Sequence, residues 1–377
     1  MALYELSEIH KLVKASGLTE TPFEIMDKDR LIDKATRFKN AFNKAQVVFA
    51  VKSNSHPDVL TVFNEHGLYF DVASYGEVET LINLGVDPSH LLFSAPTKIP
   101  SHIKMAYEAG VRYFAFDTLI ELDKLAELAP GSNVVGRVTV DNHGSFWPLE
   151  KKFGITTGQE VQMFQYALQS GLKPFGLTFH VGSQNSDPEA WVRGLNKVSA
   201  IWQKLNNLGI HLDVINCGGG FPARFEADIP MVEEIAPGVN AAFAELFDDD
   251  VKLYVEPGRG LVGDSGIMVT TVINRTSRYG KNWLYLDVGA FNGLIEGCSM
   301  YNFEYPVMAD RNDTELMQFT LAGPTCDSAD IFHTNAMLPG DITYGERVYI
   351  LTAGAYTNSM IKYNGLDFPP VAVVAAK

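Results

Sequence analysis

The chain is short of cysteine, of long apolar runs and of positive charge, and each shortage removes a class of protein. Three cysteines in 377 residues, Cys217, Cys298 and Cys326, are too few and too widely spaced for a disulfide framework or a zinc pattern. They read as free thiols in a reducing compartment, so a cytoplasmic protein with no metal site is expected. No stretch approaches the ~20 apolar residues that cross a bilayer, and the segment MALYELSEIHKLVK has no signal-peptide apolar core. Lys and Arg number 30 against 45 Asp and Glu, a formal charge of −15, with no basic cluster. That balance excludes nucleic acid and anionic membrane surfaces as partners.

What is present is an ordinary globular composition, 46% apolar, in a chain long enough for two domains. Residues 1–22 read as a short helix and connector, an N-terminal extension packing with the C-terminal part. Phe23–Asp27 is a lead-in strand, and the helix after it gathers Leu31, Ile32, Ala35, Phe38 and Phe42 on one face. From Val47 a regular alternation begins, with strands predicted at 47–52, 69–74, 91–95, 113–117, 134–140, 176–181, 214–217 and 252–256. Helical patterns lie between them, three stopping at Gly67, Gly85 and Gly110. Eight such units match a (β/α)8 barrel, placed at 23–262, better than a doubly wound sheet, because no GxGxxG follows the first strand. After residue 263 short apolar runs at 266–275, 283–287, 302–308, 317–321, 347–352 and 371–375 predict a mainly β domain over 263–377.

Polar residues close the predicted barrel strands: Lys52, Asp71 and Ser74, Asp117, Arg137, His180 and Ser183, Gly218-Gly219-Gly220, and Glu256-Pro257-Gly258-Arg259. In a barrel these ends converge on one face, where barrel enzymes keep their chemistry. Lys52 follows the apolar run Val47–Val51, and burial lowers a lysine pKa, as an amine that attacks a carbonyl requires. Glycine-rich loops after strands seven and eight form the usual barrel phosphate site, to which Arg259 adds a charge. A lysine at strand one facing a phosphate site fits a sugar phosphate or pyridoxal phosphate. Glu256 favours the second, since a carboxylate can hold a pyridinium nitrogen protonated. His180 could stack on such a ring or serve as a hydrogen-bonded core histidine.

The motifs FAVKSNSHPDVL (49–60), FDVASYGEVETL (70–81), WPLEKKFG (147–154), FHVGSQ (179–184), CGGGFPA (217–223), YVEPGRGLV (254–262), GPTCDSADI (323–331) and GAYTNSMIKYNG (354–365) span nearly the whole chain. As a set they resemble the fold-type III pyridoxal-phosphate decarboxylases, most closely the short bacterial ornithine and lysine/ornithine enzymes. The resemblance implies an alanine-racemase-like barrel and a β domain. It implies pyridoxal 5'-phosphate carried on Lys52, with Glu256 at the pyridine nitrogen and His180 on the ring. Ser183, Gly219, Gly220, Gly258, Arg259 and Tyr356 would hold the phosphate, and Asp71, Glu77 and Arg137 would surround the cofactor. It further implies a homodimer with shared sites, in which Cys326 from the second subunit protonates the α-carbon and Asp327 binds the distal amine. Lys152 would lie at that interface.

The implied reaction is decarboxylation of L-ornithine, and of L-lysine, in polyamine biosynthesis. A distal carboxylate selects a cationic side chain, because a neutral one leaves that charge unpaired. The chain departs from the larger ornithine enzymes after Asp287, where it reads Phe291-Asn292-Gly293-Leu294-Ile295-Glu296 in place of a second distal aspartate. Glu296 resembles the glutamate of the short bacterial group and is expected at the substrate amine. Diaminopimelate decarboxylase and carboxynorspermidine decarboxylase are the rival activities, and a non-catalytic regulatory homologue is the rival of another class.

Overall fold

The computed structural model describes residues 3–225, 228–311 and 315–376. Eight parallel strands close a barrel: β1 (Ala45–Ala50), β2 (Tyr69–Val72), β3 (Leu91–Phe93), β4 (Tyr113–Phe116), β5 (Asn133–Arg137), β6 (Lys173–Thr178), β7 (Val214–Asn216) and β8 (Lys252–Val255). Each expected strand has its counterpart, and β8 pairs back onto β1 through Leu253 and Ala45. Helices on the outside are set by local signals. Ser74 caps Tyr75–Asn83 and Thr118 caps Leu119–Leu128, each side chain accepting an orphan amide of the first turn. Gly67, Gly85 and Gly110 take positive φ where the sequence predicts helix stops.

Val48, Leu92, Tyr113 and Val135 fill the inside of the barrel. A packed interior leaves the strand ends as the place for polar chemistry. The outer core runs between strands and helices, through Phe49, Phe63, Phe70, Phe93, Phe116 and Trp191.

Eight further strands form a mixed sheet around Gly266–Arg278, which pairs with Lys281–Leu286 on one side and Arg347–Leu351 on the other, and Ser145–Trp147 pairs with Ser183–Asn185 in a small sheet of its own. Three features differ from the expected layout. Phe23–Asp27, placed by the sequence at the head of the barrel segment, lies in this second sheet. It pairs antiparallel with Gly266–Val269 and parallel with Val371–Val374, and all five of its residues are buried. Ile331–Pro339 is a strand the sequence reading passed over, and the predicted run 302–308 shortens to Val307–Ala309. The first helix, Leu6–Ser16, packs Ile9 and Leu12 against Phe23, Ile267, Val269 and Tyr349.

Three hydrogen bonds fasten the second domain to the Lys52 segment. Tyr356 N donates to Ser53 O at 2.7 Å, Asn54 Nδ2 to Gly354 O at 3.0 Å, and Ser359 Oγ to Lys52 O at 2.8 Å. Tyr356 sits at φ 63, a left-handed backbone that costs a bulky residue energy and is held there by these contacts. Among the described residues no helix is long and apolar enough to cross a membrane.

Candidate active site

Register brings the first pair of side chains together. Ala50 of β1 lies opposite Asp71 of β2, and Lys52 follows two residues later on the single turn Val51–Ser53. Lys52 Nζ is 3.1 Å from Asp71 Oδ2, while Asp71 Oδ1 is buried with no partner among the described residues. The sequence argument from burial expected a lowered lysine pKa. The structure reverses the sign, because the nearby Asp71 carboxylate outweighs desolvation and pushes Lys52 above its ordinary value. The lysine is therefore an ammonium whose nearest proton acceptor is Asp71.

Glu256 follows β8, and its Oε1 accepts from Asn216 Nδ2 at 2.6 Å and Ser94 Oγ at 3.0 Å. Burial, with Asp71 adding repulsion, raises its pKa to about 7. A carboxylate so poised suits sharing a proton with an aromatic nitrogen. Asn216 and Ser94 were missed in the sequence, although each closes a strand in the manner of the residues that were found.

His180 receives a hydrogen bond from Gly182 N at Nδ1, 3.0 Å, which fixes the neutral tautomer with its proton on Nε2. Burial, then Arg137 and Lys52, push its pKa well below the usual range. The glycine loop beside it admits no side chain. A Cβ on Gly218 would stand 2.0 Å from Phe179 O, one on Gly219 2.7 Å from Glu256 O, and one on Gly220 2.5 Å from Gly182 O. Bare backbone of this kind forms a cradle for an anion.

Lys52, Asp71, Ser94, His180, Gly219, Gly220 and Glu256 line one cavity of about 530 Å³ at the C-terminal mouth of the barrel. Every residue expected around the cofactor is on its wall except Glu77, whose carboxylate turns back to Ala73 N at 2.5 Å behind Asp71. Arg137 reaches the wall with its guanidinium 5.4 Å over the Phe153 ring and no hydrogen bond to the chain among the described residues. A loop with Trp147, Pro148, Leu149, Lys151 and Lys152 covers one side, and only Lys152 of these was expected near the site.

One expectation ends elsewhere. Glu296, expected at the substrate amine, gives both carboxylate oxygens to Arg259 at 2.6 Å each and is buried off the cavity wall. The turn Ile295–Gly297 points it toward the barrel. Cys326 and Asp327 are exposed and lie away from this cavity within one chain. Cys326 Sγ is 3.5 Å from Tyr363 Oη, and Asp327 Oδ1 accepts from Ala329 N at 2.9 Å.

The residues fit pyridoxal phosphate. The glycine cradle offers amides, Arg259 Nε is buried without a partner, and Glu256 is tuned for a ring nitrogen.

Known proteins agree with this fit. Residues 28–263 match the pyridoxal-binding domain of the pyridoxal-dependent decarboxylases. The lysine/ornithine decarboxylase of Selenomonas ruminantium is 31% identical over 358 residues, covering 94% of this chain and 89% of that protein. The diaminopimelate decarboxylase of Archaeoglobus fulgidus is 30% identical over 376 residues, covering 95% of this chain and 88% of its own length. The crystal structure of the Vibrio vulnificus lysine/ornithine decarboxylase complexed with putrescine superposes with a TM-score of 0.90 at 27% identity, over 99% of each chain. The chain thus belongs to the fold-type III pyridoxal-phosphate-dependent decarboxylases, with the alanine-racemase-like barrel and β domain of that family.

Proposed function

We propose that this decarboxylase converts L-ornithine to putrescine, and L-lysine to cadaverine, as a cytoplasmic homodimer in polyamine biosynthesis. The observation that carries the reading is the state of the carboxylates. Both acids on the cavity wall are engaged, Asp71 with Lys52 and Glu256 with Asn216 and Ser94. A cationic substrate side chain therefore needs a further acid. Asp327 is exposed beside Cys326, where a second copy could present both residues to the cavity. The relatives named for lysine and ornithine support the same substrate class.

Bound pyridoxal phosphate supplies the electron sink for loss of the carboxylate. Lys52 would be the amine that carries the cofactor, with Asp71 taking or returning its proton. Glu256 Oε2, which makes no hydrogen bond among the described residues, would hold the proton of the ring nitrogen. His180, held neutral, would face the ring. The amides of Gly219 and Gly220, with Ser183, Gly258, Arg259 and Tyr356, would hold the phosphate. Cys326 of the second copy gives its Sγ proton to the α-carbon. A cation clamped on the departing carboxylate would stabilise the ground state and slow the reaction, so none is assigned.

A second reading is a substrate with a distal carboxylate, such as diaminopimelate. The observation favouring it is the cationic rim of Arg137, Lys151 and Lys152 on the cavity wall. Release of CO2 from ornithine, lysine, diaminopimelate and carboxynorspermidine, compared by kcat/KM, tests the two. Ornithine or lysine should lead; a lead for diaminopimelate would transfer the assignment to the second reading, and a lead for carboxynorspermidine would replace it with a longer cationic substrate.

A further inference from the structure

The Arg259–Glu296 pair sits where the barrel meets the β domain, and its geometry exceeds what a structural ion pair requires. The side chains are 5% and 7% exposed, and the carboxylate takes both terminal nitrogens of the guanidinium. Phe303 and Tyr356 place their rings 4.6 and 4.9 Å from the guanidinium carbon. Nε is buried with no partner among the described residues, and Arg259 lines the cavity beside Gly258, Gly219 and Gly220. A buried arginine without an anion is strongly destabilising, and a bidentate carboxylate is its best internal partner.

We propose that Glu296 is an internal counter-ion that holds Arg259 in the phosphate site and competes with the phosphate for it. This rests on the reading that the cofactor phosphate lies at Arg259. Three consequences follow from the geometry. Without a ligand, Glu296 neutralises Arg259 and keeps the empty site assembled across the two domains. A phosphate then meets an arginine already half engaged, and takes the Nε–H while sharing its charge. Glu296 is therefore a positioning residue that sets cofactor affinity and takes no part in recognising the substrate amine.

The test uses the full-length protein freed of cofactor and titrated with inorganic phosphate by calorimetry, beside the Arg259→Met and Glu296→Gln variants. Glu296→Gln removes the competing charge while keeping the shape. It should lower the melting temperature of the cofactor-free protein and bind phosphate about tenfold more tightly, the size of one charge-assisted hydrogen bond. Glu296→Asp, which keeps the charge at a longer reach, should change both in the same direction by less, and it serves should the glutamine variant not fold. The ornithine KM of both variants should not rise. Phosphate affinity unchanged or weakened in both variants would overturn the proposal, as would a raised ornithine KM with unchanged phosphate affinity. If Arg259→Met left phosphate binding unchanged, the phosphate reading itself would fail, a result distinct from the failure of Glu296 alone.

Discussion

At the scale of the residue, the site depends on charges that correct one another. Asp71 holds Lys52 protonated, so capture of the cofactor needs that proton removed. With Asp71→Asn the main cause of the raised pKa is lost, and the alkaline limb for capture of pyridoxal phosphate should move down by at least about one pH unit. An unmoved limb, followed by visible absorbance, would show that Asp71 does not control the amine. Asn216 donates at 2.6 Å to Glu256 and lowers its pKa against burial. Asn216→Ala should raise that pKa further and reduce kcat about tenfold with little change in KM, as loss of a charge-assisted hydrogen bond implies. A change confined to KM would place Asn216 in substrate binding instead.

At the scale of the element, the strand Phe23–Asp27 carries a buried acid between two sheet neighbours. Glu24 is buried, and among the described residues its Oε1 has no partner and its one side-chain hydrogen bond comes from Thr357 Oγ1 at 3.2 Å. Burial raises its pKa to about 8, so at neutral pH it holds a proton that the unfolded chain has released. The native state then binds more protons than the unfolded state between the ordinary carboxyl range and pH 8, and stability falls as pH rises through that window. Glu24→Gln should remove this loss and gain at least about 1 kcal/mol at pH 8, while the difference vanishes near pH 4. Denaturant melts of both proteins across that range check it, and a constant difference would exclude Glu24 as the titrating group.

The same strand shows where the sequence could be read and where it could not. The barrel strands were legible because their C-terminal halves are buried apolar runs that alternate with helical patterns, several ending at a glycine. The partners of Phe23–Asp27 lie more than two hundred residues away, and five buried residues look alike in either sheet. Ile331–Pro339 was hidden because its pairing with Leu316–Ala322 shifts register near Phe319 and Leu321, which breaks the alternation that marks a strand. In the site, strand-end polarity exposed Lys52, Asp71, His180 and Glu256. Glu296 was misplaced because a one-turn helix, invisible to spacing, directs it to Arg259.

At the scale of the whole molecule, the proposed reaction draws on groups that one chain keeps apart. The cavity holds the groups for the cofactor, while Cys326 and Asp327 face solvent away from its wall. A two-fold pair of chains can exchange such groups reciprocally, each copy giving the other what it lacks. Arg259 and Glu296 would then fix the domain junction on which that exchange depends. The decisive measurement is CO2 release from ornithine by mixed Lys52→Ala and Cys326→Ala variants, each inactive alone. Random pairing leaves one intact site in half of the dimers, so the mixture should recover about a quarter of wild-type activity. Heterodimers that form and yet release no CO2 would contradict the shared site.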